Sequence, residues 1–591
     1  MDLNKLLHRS KGWDNLLANP ELAKRVFRPQ FHRISEIFPN KYANDTKFLK
    51  MTEDLYQRLE RPEWQPTVDE QGLSSNFLTG GYSQLLSVSV HKKLPMSIGM
   101  EDNRELRAEL DVVEPDDLFS TIAHAVGTAL YSRKRPASAR FRREASTGVP
   151  DFKTGGEVKV RDFHATYNFM LGSAPVTPVN LLTAGIYPVY YIVNRFQADK
   201  KGKVRYSWTG FDRVEVDATT PYGDHHGMRV RTAYAMSGTV SYFQSTLISE
   251  QREYYLNEFE FTYKHRKPED VAAKVNRFKA VAGIDVTQFD QSVGEGHLSL
   301  FADQISRFWT ERPAALLRLT LGAPSISSCP YIAGQEDRWA AVGDPFDIES
   351  YSLRKGLPSG HPLNPDIGKF CMTCEVIYRF AQIDPTVVTM VEDVLRGFHP
   401  RFGFLNSADD NLILFHREED VQAFFKTKGT FSLDREEIPQ FLGVVYGKRR
   451  GLVIGQPNLT SFLVRWLVPE QSIGRKEGDH RAFFETGWNE RKYHYEDHAL
   501  FPEIMKVFNE AARKQYGVVA DELLQGRREP VSSQIARTYE DRMFLMNPSS
   551  IYYKIDIDDL SPNLANHFAM RLAPEQVAEV TKRFHTSEVS Y

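Results

Sequence analysis

At 591 residues the chain is far longer than one ordinary domain, so several subdomains sharing a sizeable core are expected. A hydrophobic share of 41 % with 12 % aromatic residues fits a globular protein, and a net charge of −3 excludes a chain that is basic throughout. Any site for a polyanion must therefore be a local concentration of Lys and Arg. Three cysteines, Cys329, Cys371 and Cys374, are too few for a disulfide framework and fit a reducing compartment. The opening MDLNKLLHRSKGWDNLL has charges inside its apolar stretch, unlike a signal peptide, and NLLTAGIYPVYYIV (180–193) is too short to span a bilayer. The chain reads as a soluble protein.

Taken in chain order, residues 1–135 read as mixed and mostly helical. A basic cluster, RKRPASARFRR (133–143), follows; a solvated loop is the ordinary reading of such a run. A second basic set comprises Arg195, Lys200, Lys201, Lys203 and Arg205, with DKKGK (199–203) as a hairpin turn between YPVYYIV and VRYSW. In MRVRT (228–232), Arg229 and Arg231 alternate as they would on one face of a strand. The stretch VAGIDVTQFDQSV (281–293) is a short apolar strand closing on Asp285, with Asp290 five positions later. Leu298, Phe301, Ile305 and Phe308 step by three and four, which predicts an amphipathic helix. The Gly- and Pro-rich loop KGLPSGHPLNP (355–365) leads into a second such helix over 366–381. Next come RFGFLN (401–406) and NLILF (411–415), two strands around Asp409 and Asp410, then a helix near 418–427. A strand FLGVVYGK (441–448) precedes Arg449-Arg450, and 495–525 is helical again. Two strands should carry the carboxylates to one sheet edge while helices cover the opposite face. No solenoid period or low-complexity tract is present.

The acidic positions carry the chemistry. Hard divalent cations choose carboxylate oxygen, and two such ions about 3.5–4 Å apart activate an attacking hydroxyl and stabilise a leaving pyrophosphate. Asp285 and Asp409 are the expected bridging ligands, with Asp410 beside them. An Asp-Asp turn alone is common; joined to Asp285 and apolar strands in this order it points to nucleotidyl transfer. Cys371 and Cys374 fall on the apolar stripe of the 366–381 helix and read as core, because a zinc site would need two more ligands.

DVTQFD (285–290), GLPSGHPLN (356–364) with its helix, and SADDN (407–411) resemble the first three palm motifs of viral RNA-dependent RNA polymerases. The EEDVQAFFKTKG helix and FLGVVY stand where the fourth and fifth motifs belong. Over about 190–450 the chain is most similar to the polymerases of the double-stranded RNA bacteriophages, the cystoviruses; MRVRTA, KVR (203–205) and SSIYYKI (549–555) extend the likeness. The resemblance implies an α+β fold, a closed right hand. Its fingers, with part of the thumb, would lie over 1–237 and a fingers insertion over 293–363. The palm, with an antiparallel sheet, would span 238–292 and 364–460, a helical thumb 461–540 and a C-terminal priming segment 541–591.

It also implies template-directed RNA synthesis from NTPs, with primer-independent initiation, serving replication and transcription of a viral genome. Two Mg²⁺ would sit on Asp285, Asp409 and Asp410, and Glu436 would help hold a third, non-catalytic Mn²⁺, although DREE (434–437) reads equally as a solvated turn. Arg229 and Arg231 would grip the triphosphate, extended by Lys203 and Arg205, for which an exposed strand competes. Arg140, Arg142 and Arg143 would contact template phosphates. Asp290 would accept from the ribose 2′-OH. The second motif departs from the family pattern: Asn364 stands at the usual Thr and Gly368 at the usual Asn, so Ser359 or Asn364 would supply the missing donor. Ala408 replaces the usual Gly of the third motif, which the turn tolerates unless it needs positive φ. Lys426 and Lys428 are read either as pyrophosphate donors or as surface lysines, and His361 either as a template contact or as a helix cap. Tyr553, or its neighbour Tyr552, would stack under the initiating nucleotide. Expected partners are single-stranded RNA template, NTPs and inner-capsid proteins, with no membrane, for a monomer inside the virion. The rival readings are a reverse transcriptase with the same palm, against which Asp290 speaks, and a non-catalytic RNA-binding scaffold.

Overall fold

Near-continuous apolar runs at 280–286, 402–406 and 411–415 predict strands buried on both faces, and in the computed structural model they form the centre of the molecule. The structure describes residues 112–131, 160–186, 188, 190–198, 205–206, 214–215, 228–259, 261, 268–323, 325–327, 349–351, 356–357, 360–436, 439–449 and 452–457. Described helices, in chain order, are α1 (Asp117–Tyr131), α2 (Val160–Leu171), α3 (Pro178–Thr183), α4 (Gly238–Glu258) and α5 (Pro268–Val275). They continue with α6 (Phe289–Ser292), α7 (Glu295–Ile305), α8 (Glu311–Leu321), α9 (Asn364–Ile383), α10 (Val391–Arg396) and α11 (Glu419–Lys426). The strands are β1 (Tyr190–Ala198), β2 (Arg205–Tyr206), β3 (Val214–Glu215), β4 (Met228–Met236), β5 (Ala280–Val286), β6 (Ser325–Ser327) and β7 (Glu349–Tyr351). After them come β8 (Phe402–Ser407), β9 (Asp410–Phe415), β10 (Leu433–Arg435), β11 (Gln440–Phe441), β12 (Val444–Arg449) and β13 (Leu452–Pro457).

The central sheet has the order β10–β5–β9–β8 and is antiparallel throughout. Strand alternation sends Ala280, Ala282, Ile284 and Val286, with Ile413, Phe415, Phe402 and Phe404, into the large core built with α9, α7 and α1. Val281, Leu412, Leu414 and Leu405 point the other way, into a second core with Phe441 and Tyr446 of the β11–β12–β13 sheet and Val271, Ala272 and Val275 of α5. A small sheet and one helix, rather than solvent, thus cover the second face. α9 is buried almost all round, which is why its pattern is broader than a single stripe.

Two of the expected strands are built differently. FLGVVYGK is not one strand: Leu442 (φ 52°) and Gly443 (φ 74°) are both left-handed and make a two-residue hairpin between Phe441 and Val444. DKKGK does not join the predicted pair, because β1 runs antiparallel to β4 over its whole length, while Arg205–Tyr206 pairs with Val214–Glu215. The expected thumb (461–540) and priming segment (541–591) lie outside the described residues. Among those described, no helix is long and apolar enough to cross a membrane.

Candidate active site

The pairing register assembles the acidic residues. Ile284 stands opposite Asn411, so the next pair in the same register is Asp285 opposite Asp410. On the other edge of β5, Asp434 stands directly opposite Asp285. Directly opposed residues of an antiparallel pair present their side chains to one face. Three aspartates therefore make a row across the sheet, on the face of Val281 and Gly283 and away from α9. Like charges placed directly opposite one another ordinarily destabilise a sheet, so a row of this kind is not a packing choice. Asp434, in a DREE run that reads equally as a solvated turn, is the residue least visible in the sequence; its Oδ2 accepts from Thr287 Oγ1 at 2.7 Å.

Asp409 is exposed at the tip of the β8–β9 hairpin. The tip is held from inside: Ala408 N donates to Asn406 Oδ1 and Asn411 Nδ2 donates to Ala408 O, both at 2.9 Å. Ala408 has φ 63°, so the turn does take the left-handed conformation, with alanine in it at a cost of about 1–2 kcal/mol. Gln288 (φ 47°), between Asp285 and Asp290, and Leu442 (φ 52°) share that conformation. Among the described residues these three are the non-glycines with positive φ, and each flanks the acidic row. Leu442 N donates to Asp410 Oδ2 at 3.2 Å. Strain of this kind gathers at sites whose geometry is over-determined.

Asp290 is half-buried on α6, and the loop before α9 is tied to that helix: Leu357 N donates to Asp290 O at 2.5 Å and Gly356 N to Val293 O at 3.0 Å. Asn364 opens α9 with a buried amide oxygen that has no hydrogen-bond partner among the described residues, and the same holds for Gln291 Oε1. Glu436 donates its N–H to Gly283 O at 3.0 Å, and its Oε2 lies over Gly283, two positions along β5 from Asp285. Arg231 stands opposite Arg195 and Arg229 opposite Gln197 in the β1–β4 pairing. Arg140, Arg142, Arg143, Lys203, Ser359, Tyr552 and Tyr553 lie outside the described residues.

The Gly-Pro loop before α9 is anchored rather than open. His361 is buried; its Nδ1 accepts from Leu363 N at 3.1 Å and its Nε2 meets Thr320 Oγ1 at 3.2 Å, which fixes the ring as neutral with the proton on Nε2. Burial pulls its pKa down to about 3. His361 thus braces the turn that leads into α9, tied to Leu363 and to Thr320 of α8. Fully buried Asp366 receives Arg252 Nε at 3.0 Å, Arg252 Nη2 at 2.5 Å and the Tyr255 hydroxyl, clamping the first turn of α9 to α4. Burial first, and Asp366 second, push the Tyr255 and Tyr131 hydroxyls well above their usual range, so both remain donors. Cys371 and Cys374 are core residues whose thiols burial pushes up. Lys428 is exposed and its backbone is pinned in both directions by Gln382, near the far end of α9, in keeping with a surface lysine.

Among the described residues, no three His, Cys, Asp or Glu side chains converge tightly enough to hold an ion by themselves. Mg²⁺ keeps several waters and is ordinarily bound by one or two carboxylates plus substrate phosphates, not by an all-protein cage. An open row of all-oxygen ligands beside an exposed Asp409 fits an ion of that kind.

No family model and no curated protein matches the sequence. Comparison with solved structures gives a different result. The RNA-dependent RNA polymerase of bacteriophage phi12 superposes with a TM-score of 0.65 at 18 % identity, over 96 % of this chain and 92 % of the phage chain. The chain has the fold of that phage polymerase. The expected resemblance is therefore met at the level of the fold, with mixed helix and antiparallel sheet around the acidic row.

Proposed function

We propose that the chain is an RNA-directed RNA polymerase that copies an RNA template from NTPs and begins strands without a primer. The observation that carries this reading is the Asp434–Asp285–Asp410 row with Asp409 at its strained tip, in a fold shared with a phage RNA polymerase. In this reading the 3′-oxygen of the growing strand, or of the first nucleotide, bonds to the α-phosphorus of the incoming NTP. The bond from that phosphorus to the bridging oxygen breaks, and pyrophosphate leaves. Asp285, Asp409 and Asp410 would hold two Mg²⁺, which when bound supply charge neutralisation and a more acidic attacking hydroxyl. Glu436, beside Gly283, would serve a separate Mn²⁺.

The protein's own contribution is positioning and fixed charge. Asp290 accepts from the ribose 2′-OH, with Asn364 or Ser359 as the companion group that donates to it. Arg229 and Arg231, with Lys203 and Arg205 beyond them, neutralise the triphosphate. Arg140, Arg142 and Arg143 follow the template backbone, and Tyr553 or Tyr552 stacks under the first base.

The test is purified protein with single-stranded RNA, four NTPs and Mg²⁺ or Mn²⁺, with products sized with and without primer. Template-length RNA in both arms, lost at least about 10³-fold in Asp409→Asn, is expected if the carboxylates supply the larger part of the electrostatic stabilisation. An Asp409→Asn protein that polymerises normally would overturn the reading, and extension by dNTPs in preference to NTPs would turn it into a reverse transcriptase.

A further inference from the structure

The two departures in the sequence around this site, glycine at 368 and alanine at 408, meet in space. A Cβ built on Gly368 would stand 2.6 Å from the Ala408 Cβ, 3.4 Å from the Ala408 Cα and 3.3 Å from Cε1 of Phe289. Carbon atoms do not approach to 2.6 Å without something moving, since the attractive minimum lies near 3.5–4.0 Å. Neither neighbour can give way freely. Ala408 is a left-handed residue whose N–H and carbonyl are both engaged, by Asn406 and Asn411. Phe289 is buried against Phe431 and opens the short helix that carries Asp290.

We infer that Gly368 and Ala408 are a matched size pair that sets the spacing between the acidic turn and the helix of Asp290. The methyl of Ala408 fills the volume that a side chain at 368 would occupy, and the bare backbone of Gly368 lets α9 come close enough to hold the strained turn in place. A side chain at 368 would press on Ala408 and Phe289 together, driving Asp409 and Asp410 away from Asp290. Gly368 and Ala408 are positioning residues: neither has a group that could touch the reacting atoms.

This inference rests on the polymerase reading for its catalytic readout, and a double-mutant cycle on the full chain separates the two. Single-nucleotide incorporation is measured for wild type, Gly368→Ala, Ala408→Gly and the double variant, with Mg²⁺ titrated in each. In the wild-type background Gly368→Ala should lower kcat on the order of 10²-fold, the cost of displacing reacting groups by about 1 Å. It should raise the Mg²⁺ concentration for half-maximal rate, while KM for NTP changes less than about threefold because the triphosphate grip is not what moves. In the Ala408→Gly background, where the opposing methyl is gone, the same substitution should cost less than about threefold. An equal cost of Gly368→Ala in both backgrounds would overturn the pairing, as would a Gly368→Ala protein with wild-type kcat. If wild type incorporates nothing on any RNA template, the polymerase reading fails instead. The cycle is then read from the melting temperatures of the four proteins, where rescue by Ala408→Gly sustains the size pair and its absence refutes it.

Discussion

Removing the Glu375 carboxylate should loosen the segment that leads into Asp434. Glu375 is fully buried on α9 and accepts from Arg379 Nε at 2.7 Å and from Thr430 N and Oγ1, both at 2.9 Å. Arg379, 5 % exposed, extends Nη2 to Phe431 O at 2.8 Å and Nη1 to Thr427 O at 3.1 Å, and Gly429 packs directly over the pair. One residue further on, Ser432 O accepts from Thr287 N at 3.1 Å, and two more bring the chain to Asp434 opposite Asp285. Glu375→Ala strands a guanidinium in the interior, which costs about 3–5 kcal/mol. The two Thr430 donors left without an acceptor raise that figure rather than lower it. Replacing both partners, as in Glu375→Leu with Arg379→Met, removes the stranded charge and should cost less than the single change. Urea unfolding of the three proteins measures the energies, and hydrogen exchange on peptides spanning 427–436 reads the local loosening. The reasoning is refuted if Glu375→Ala costs under about 1 kcal/mol, or if the double variant is as unstable as the single one.

Two further outcomes follow from buried side chains. His361 and His297 are held neutral, with pKa values pulled to about 3 and about 4 by burial, below the ordinary 6.5. For a base with a depressed folded pKa, stability is complete above pH 6.5 and is lost as pH falls toward the folded value. By linkage each should cost about 2 kcal/mol at pH 5 relative to pH 7.5. Urea midpoints at the two pH values check this, and His361→Gln should remove its share of the difference while leaving that of His297. Cys371 and Cys374 should escape maleimide labelling in the folded protein and react on unfolding. Labelling of either peptide in the native state would show that α9 opens far more readily than its packing indicates.

Much of the central sheet could be read from the sequence because its strands are buried on both faces and announce themselves as continuous apolar runs. Asp285, Asp409 and Asp410 were legible for the same reason: each interrupts or ends such a run. Asp434 was not, since β10 is a three-residue edge strand with two exposed positions and no apolar period to mark it. The break at Leu442 was readable in principle from Gly443, but the flanking FL and VVY outweigh one glycine in any pattern count. The buried setting of His361 is something a loop rich in Gly and Pro does not reveal. The consequence of Gly368 depends wholly on what lies across from it, and no local signal carries that.

The two-sided core also limits how this chain can change by insertion or deletion. β9 is gripped from both sides, by β5 and β8, and its alternate residues belong to different cores. Adding one residue between Asp410 and Phe415 would either turn the aspartate toward α9 or throw Leu412 and Leu414 out of their core. The distance along the chain from the acid to its buried leucines is thus a matter of parity as well as of reach. A lineage carrying this sheet can lengthen its loops freely, yet within β9 it can move only by substitution.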